Sequence, residues 1–307
     1  MNLSVAYSFQ PGLIERLARY ETVKEIYAKL DKDIIGGGRS TYTLRPVSKR
    51  VVAKAVRIAH QHNISFNYLL NGANLGGTEL TRRGQKAIRS LLDWIVSIGV
   101  DSVTVASPWL LQLIKKNYPH LKVRISVFAL IDNPRKAQLW EDMGADTLCI
   151  SAISCNRNFD LLSRINKSVR CSCQLIVNAS CLPGCAYELS HMNLLTSSSR
   201  SNDRLRGFSL DYCFLHCSAK KLKNPTHFLK AIWIRPEDLH RYEKLGFSSF
   251  KLVERSCSAD LMIKRVDSYV NRSFDGNLLE IAGPTAQISL KQNQTFFQRL
   301  RMFTTMF

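Results

Sequence analysis

The chain has 307 residues, a formal net charge of +19 and nine cysteines; 45% of its residues are hydrophobic and 22% charged. That length can bury the core of one large domain or two small ones. No apolar run of about 18 residues is present, which excludes a membrane-spanning helix on hydropathy.

The charge favours an anionic partner: nucleic acid, an acidic carrier protein, a membrane surface or an anionic small molecule. Lysine and arginine are spread along the chain rather than gathered in a tail, and no nucleic-acid-binding signature of known spacing is present. The start, Met1-Asn2-Leu3-Ser4-Val5, lacks the basic-then-apolar pattern of a secretory leader. Nine cysteines without such a leader point to a reducing compartment, and the protein is expected to be cytoplasmic.

In chain order, Val5 to Phe9 is expected as a first strand, and Pro11 opens a helix through Tyr20. Val23 to Leu30 is the second strand, followed by the glycine-rich loop Gly36-Gly37-Gly38-Arg39. Glycines there permit positive φ and close backbone approach, but the spacing is not that of a nucleotide-binding loop. Ser48 caps a helix with Val51, Val52, Ala55, Val56 and Ala59 on its apolar face. Ser65 to Asn71 is the third strand. Thr78 caps a long helix stopped by Gly99. Ser102 to Ala106 is the fourth strand, Pro108 to Tyr118 a helix, Lys122 to Leu130 the fifth strand, and Asn133 to Gly144 a helix. Thr147 to Ile150 is the sixth strand, Phe159 to Ile165 a helix and Cys171 to Val177 the seventh strand. Beyond the cysteine segment, Phe228 to Ile234 reads as strand-like. A helix follows from Arg235 to Gly246, a last strand from Phe250 to Val253 and a closing helix from Ser258 to Phe274.

Short apolar strands alternating with amphipathic helices indicate a parallel sheet with helices outside. About eight such units fit a (β/α)8 barrel of the TIM type better than an open sheet, since no dinucleotide fingerprint marks a switch point. The expected organisation is an α/β barrel domain over 1–282, with a cysteine-containing insert at 178–225 after the seventh strand, and a C-terminal tail at 283–307. In such a barrel the strand-end loops converge on one mouth. This would bring together Arg39, Asn71, Asn74, Asn178, the insert, Arg235 and Arg255.

The insert carries the chemistry. Cys181 and Cys185 form one Cys-x3-Cys pair, and Cys213 and Cys217 a second. Both lie among Pro, Gly, Ser, Asp and His, where a role as small buried hydrophobes is not expected. Cys149, Cys171, Cys173 and Cys257, in contrast, sit alone or in apolar runs and read as core. Each close pair closes a small chelate loop, as a tetrahedral metal or an iron–sulfur cluster requires. Spacing alone does not separate zinc from a cluster, although the three-residue gaps lean toward the cluster. Among the cations, Arg235 after Ile232-Trp233-Ile234 and Lys251 within Phe250-Lys251-Leu252 are the best candidates for function, because a charge against an apolar strand needs a partner. Arg39 and Arg235 would offer planar forks to a carboxylate.

Taken together, these residues resemble the U32 "peptidase" family. The likeness rests on Gly38-Arg39, Leu70-Asn71, Asn178 with the paired cysteines, Trp233 to Leu239, Phe250-Lys251-Leu252 and Asp275-Gly276-Asn277-Leu278. It covers about residues 1 to 282, and it implies a barrel carrying a [4Fe–4S] cluster on Cys181, Cys185, Cys213 and Cys217. It further implies an oxygen-independent hydroxylase that draws oxygen from prephenate and acts on RNA or ubiquinone precursors. Arg39, Arg235 and Lys251 would then hold the carboxylates of the prephenate-like donor. The partner could be RNA, an acidic carrier or a paralogous subunit of the same family. Two alternatives stand beside this: a zinc-stapled RNA- or partner-binding protein, and a peptidase. The peptidase lacks both a Gly-x-Ser-x-Gly elbow and a His-Glu-x-x-His helix.

Overall fold

Eight short runs of mostly apolar residues form the strands β1 (Asn2–Ala6), β2 (Val23–Ala28), β3 (Ser65–Leu70), β4 (Ser102–Val105), β5 (Lys122–Ile125), β6 (Thr147–Cys149), β7 (Ser172–Ile176) and β8 (Ser249–Leu252). Each pairs in parallel with the next, and β8 pairs in parallel with β1, so the sheet closes into the expected (β/α)8 barrel. This computed structural model describes residues 1–202 and 211–282. The expected tail at 283–307 lies outside the described residues.

The helices are α1 (Leu13–Leu17), α2 (Lys49–Gln61), α3 (Arg82–Ser97), α4 (Pro108–Asn117), α5 (Pro134–Asp142), α6 (Ala152–Cys155), α7 (Phe159–Lys167), α8 (Glu188–Ser198), α9 (Tyr212–Lys223), α10 (Thr226–Lys230), α11 (Leu239–Glu243), α12 (Ala259–Asn271) and α13 (Leu278–Ala282). No described helix is long and apolar enough to cross a membrane. The side chains of Ser48, Ser107, Asn133 and Ser258 cap α2, α4, α5 and α12, each accepting a backbone N–H of the first turn.

Three expectations are corrected. Thr78 opens a 3₁₀ turn, and Thr81 is the residue that caps α3. β5 stops at Ile125, and Val127–Ala129 forms a 3₁₀ turn. The stretch from Phe228 to Ile234 is not a strand. Its first part belongs to α10, and Ile232 to Ile234 is a buried, non-ladder segment whose N–H groups bond Cys181 O and Val177 O. An apolar buried segment has the hydropathy of a strand without a neighbour to pair with, so pattern alone does not distinguish the two.

The barrel interior is more polar than the branched aliphatic filling usual for this architecture. Register aligns Ser4 with Glu25 and with Lys251, and Asn67 with Ser102. Glu25 on β2 receives both guanidinium nitrogens of Arg124 on β5, a contact between non-adjacent strands that runs through the interior. The hydroxyls of Ser4 and Ser102 also donate to Glu25. Thr104 donates to Asn67 Oδ1, Asn67 donates to Ser102, and Gln174 donates to Ser249. Burial pushes the Glu25 carboxyl up. The charge and hydrogen bonds of Arg124, the Ser4 hydroxyl and the charge of Lys251 outweigh this and hold it below 4.5.

Removing one partner of a buried pair leaves the other charge uncompensated. Glu25→Gln should therefore lower unfolding stability by about 3–5 kcal/mol in urea titrations. Because the folded carboxyl titrates below its unfolded value, its contribution is complete above that value and lost as pH falls through the folded one. Wild-type stability should fall over that acid range more steeply than that of the Gln variant. Equal acid slopes would show that the pair contributes nothing.

Candidate functional site

The insert leaves β7 at Val177 and lies across the carboxyl ends of the strands. Asn178 anchors its start. Asn178 donates to Val253 O at 3.0 Å and accepts from Val253 N at 2.7 Å, which prolongs the β7–β8 seam by one side-chain pair. Cys181 and Cys185 follow in a loop with Gly184 at φ 58°, whereas Cys213 and Cys217 sit one helical turn apart on α9. Only the second pair is therefore a helical one. Asp211 caps α9 by accepting from Phe214 N at 2.8 Å, and it also binds His191 of α8 at 2.9 Å. One carboxylate thus fixes both the start of α9 and its position against α8.

All four thiols are free, as are the other cysteines. Burial pushes the Cys181 thiol up to about 11; Lys221 and Arg39 pull it down, while Cys217 and Cys185 push it up. Cys213 is also raised, chiefly by burial and in part by Cys185. The four thiols are thus near enough to feel one another's charge. Lys221 is buried, hydrogen-bonded to Ser180 O, and stands beside Cys181 as a counter-charge. Among the described residues no three His, Cys, Asp or Glu side chains are close enough together to hold a metal ion as they stand. Four cysteine thiols are nonetheless a donor set whose chemistry suits a thiolate-bound centre. Cys149, Cys173 and Cys257 are core residues as expected; Cys155, to which the sequence assigns no role, is buried too, and Cys171, expected in the core, is only half-buried.

The glycine-rich loop has a different role from ligand approach. Gly36, at φ 77°, lies where a Cβ would come within 2.5 Å of Thr196 O on α8, so the missing side chain admits the insert's backbone. Ser199 Oγ accepts from Gly37 N at 2.8 Å, Thr196 Oγ1 accepts from Ala73 N at 2.9 Å, and Arg200 donates to Asn74 Oδ1 at 2.9 Å. Asp33 organises the loop from within. It accepts from Ile35 N and Gly36 N, pairs with buried Lys29 at 2.9 Å and receives the Tyr68 hydroxyl. α8 is in this way seated on the loops after β2 and β3.

The cations read from the sequence divide. Arg39 is at the mouth but already engaged: its fork meets both oxygens of Glu254, at 3.3 and 3.1 Å, and it donates to Gly38 O. The charge of Glu254 raises its pKa. Arg235 is corrected outright. It ends no strand, its side chain is 55% exposed, and it pairs with Glu237, whose other oxygen accepts from Phe274 N beside α12. Its guanidinium is thus already engaged by a carboxylate of the chain. Lys251 is buried inside the barrel with its Nζ 4.0 Å from the Tyr27 ring centroid, and burial brings it down to about 8. Asn71 closes β3 with a buried Oδ1 that has no partner.

Lys221 escaped the sequence reading because it sits in a lysine run on a helix that looks solvent-facing. Glu254 could have been found, since a carboxylate directly after the apolar Leu252-Val253 needs a cation.

A family model described as Peptidase family U32 matches residues 21–199. Over 249 residues the chain is 32% identical to an uncharacterized protease of Methanocaldococcus jannaschii, covering 81% of this chain and 72% of that protein. Among solved structures it is similar to the U32 peptidase Mk0906. The TM-score is 0.61 at 22% identity, covering 83% of this chain and 93% of that one, a likeness of fold.

Gly36→Ala should unseat α8, because the added carbon meets backbone and the residue is held at positive φ. A loss of about 1–3 kcal/mol is expected, with faster proteolysis within 178–225. An unchanged cleavage rate would show that the insert does not rest on this loop.

Proposed function

Since the chain belongs to peptidase family U32, we propose that it is an iron–sulfur protein acting as an oxygen-independent hydroxylase with a prephenate-like oxygen donor. The observation that carries this reading is the set of four free thiols in one insert, Cys181, Cys185, Cys213 and Cys217, with Lys221 and Arg39 near Cys181. Four thiolates concentrate negative charge, and two adjacent cations offset it. These cysteines would hold a [4Fe–4S] cluster, and the cluster when bound would supply electron transfer or polarisation of the transferred oxygen.

The chain's own residues would do the rest. Asp211 holds α9 and thereby Cys213 and Cys217 in place. The Arg39–Glu254 pair walls the mouth next to Cys181. Lys251 supplies a buried positive charge below the mouth. The net charge of +19 favours a substrate that is itself anionic, RNA, or borne on an acidic carrier.

The relatives' printed names suggest proteolysis instead. A Cys–His dyad would need an imidazole on a thiol. Among the described residues, His191 is turned to Asp211 and His216 packs on Tyr187 with ring centroids 4.8 Å apart. The hydroxylase reading accounts for the thiols better. The zinc-stapled binding protein is the outcome to separate from it.

Anaerobically purified protein should be brown and contain iron and sulfide, and serine at any one of the four cysteine positions should remove most of the metal, because thiolate ligands act as a set. Full metal retention in two or more of the single variants would overturn the centre. Colourless protein with one zinc would establish the staple.

A further inference from the structure

A cavity of about 310 Å³ opens where β1, β2 and β8 end. It is lined by Tyr7 and Phe9 after β1, Lys29 and Asp31 after β2, Arg255 after β8, and the segment from Thr43 to Val47. In this barrel that is the face on which strand-end residues converge, and Arg39, paired with Glu254, is near both Arg255 of the cavity and Cys181.

Two buried polar groups of this cavity have no hydrogen-bond partner among the described residues. Arg255 is 7% exposed, and among the described residues its guanidinium has no hydrogen-bond or ion-pair partner. Burial, reinforced by the nearby charge of Arg39, brings it down to about 10, so it still carries its charge at neutral pH. The Tyr7 hydroxyl, on a side chain as deeply buried, is likewise without a hydrogen-bond partner among the described residues. Arg45 also lines the cavity, but from an exposed position in water, and other polar groups of the lining are committed. Lys29 binds Asp33 and Gly36 O, Gln10 binds Ser8, Cys257 O and Ala259 N, and Asp31 accepts from Val47 N. A largely buried guanidinium that opens only on a cavity, with Glu254 as a neighbouring but not hydrogen-bonded opposite charge, gains from a complementary anion placed in that cavity. Part of the wall is apolar. The Tyr7 and Phe9 rings pack at 4.9 Å, and Leu44, Pro46 and Val47 face the same space. Two non-glycine residues beside the cavity, Phe9 at φ 57° and Glu254 at φ 102°, hold backbone conformations that side chains disfavour.

We propose that this cavity binds a small organic carboxylate with a compact apolar body, its carboxylate on the Arg255 fork and within reach of the Tyr7 hydroxyl, its body against Phe9, Leu44 and Pro46. A carboxylate rather than a phosphate follows from the donor set. The one buried fork and one buried hydroxyl suit a planar monoanion, and Asp31 in the lining sets a negative charge against that of the exposed Arg45, so the cavity holds no surplus of cations for a dianion. The volume, about ten waters' worth, limits the body to a single ring or short branched chain. The inference stands on the cavity alone. It gives the anionic donor of the reading above a seat that Arg39 and Arg235, both already paired, do not offer.

The test is thermal unfolding and calorimetric titration of the protein as purified, with 3-phenylpropionate, its neutral alcohol 3-phenylpropanol, and inorganic phosphate at matched ionic strength. The carboxylate should raise Tm and bind saturably, while the alcohol and phosphate should not. Arg255→Met should weaken carboxylate binding about tenfold or more, the loss of a charge-assisted bond pair, yet leave the ligand-free Tm equal or higher, because it removes an unpaired buried charge. Tyr7→Phe should weaken binding a few-fold and serves as the second variant if Arg255→Met does not fold. Arg164→Met, an exposed helical arginine paired with Asp160, should bind as wild type. Binding unchanged in Arg255→Met, or in Tyr7→Phe where the first variant does not fold, would overturn the site. Phosphate binding as tightly as the carboxylate would overturn the ligand class. Neither result depends on metal content, so failure here is distinguishable from failure of the iron–sulfur reading.

Discussion

The Glu25–Arg124 pair is the constraint on which the barrel depends. It joins β2 to β5 across the interior, and through Ser4 and Ser102 it also draws in β1 and β4. An aliphatic barrel core tolerates small shifts in strand position, because apolar contacts are non-directional. A bidentate ion pair does not, since both nitrogens must meet both oxygens. The pair leaves Lys251 as the unbalanced charge of the interior, faced by the Tyr27 ring. The ring's negative face is a weak substitute for a carboxylate, which is consistent with the depressed pKa of that lysine.

Above this floor the mouth is built in two halves. On one side the insert brings four thiols and Lys221; on the other, β1, β2 and β8 end in a cavity with Arg255. Glu254 stands between them. Its side chain neutralises Arg39, which is near Cys181, while its peptide positions Arg255. The positive φ of Glu254 lets consecutive residues turn to different sides of the strand end. Opposite charges at 254 and 255 then serve separate purposes within one short turn.

Much of the fold was legible because strand and helix periods are local. Each strand is a short apolar run, and Ser48, Ser107, Asn133 and Ser258 announce their helices by identity and position. Thr78 and Thr81 were harder to tell apart, since both precede helical residues and only backbone geometry separates a 3₁₀ turn from an α-helical start. The family was legible from the cysteine block and from Trp233 to Leu239. Partnerships were not. Arg39 and Arg235 have the appearance of ligand-binding arginines, yet each meets a carboxylate of the chain itself, Glu254 from 215 positions away in the one case and Glu237 in the other. Arg255, with no special neighbour in sequence, is the buried arginine that opens on the cavity. Whether a charge is satisfied is a property of three-dimensional neighbours, and residue order does not encode it directly.

The insert begins and ends at nearly the same point. Ile234 N bonds Val177 O at 2.7 Å and Ile232 N bonds Cys181 O at 3.0 Å, while the Tyr269 hydroxyl donates to Val177 O and Ile234 O and Asn156 donates to Ile176 O and Ile232 O, so the two crossings of its base are stitched together by backbone and by two side chains of the helical layer. Because none of those bonds uses a side chain of the cysteine segment, the length and composition of the segment they enclose are decoupled from barrel closure, and lengthening a loop whose ends already meet adds little entropy cost. The barrel thus works as a socket and the cysteine segment as a cartridge. Lineages sharing this scaffold are free to vary cysteine spacing and helix content in the cartridge while β7 and β8 keep their register beneath it.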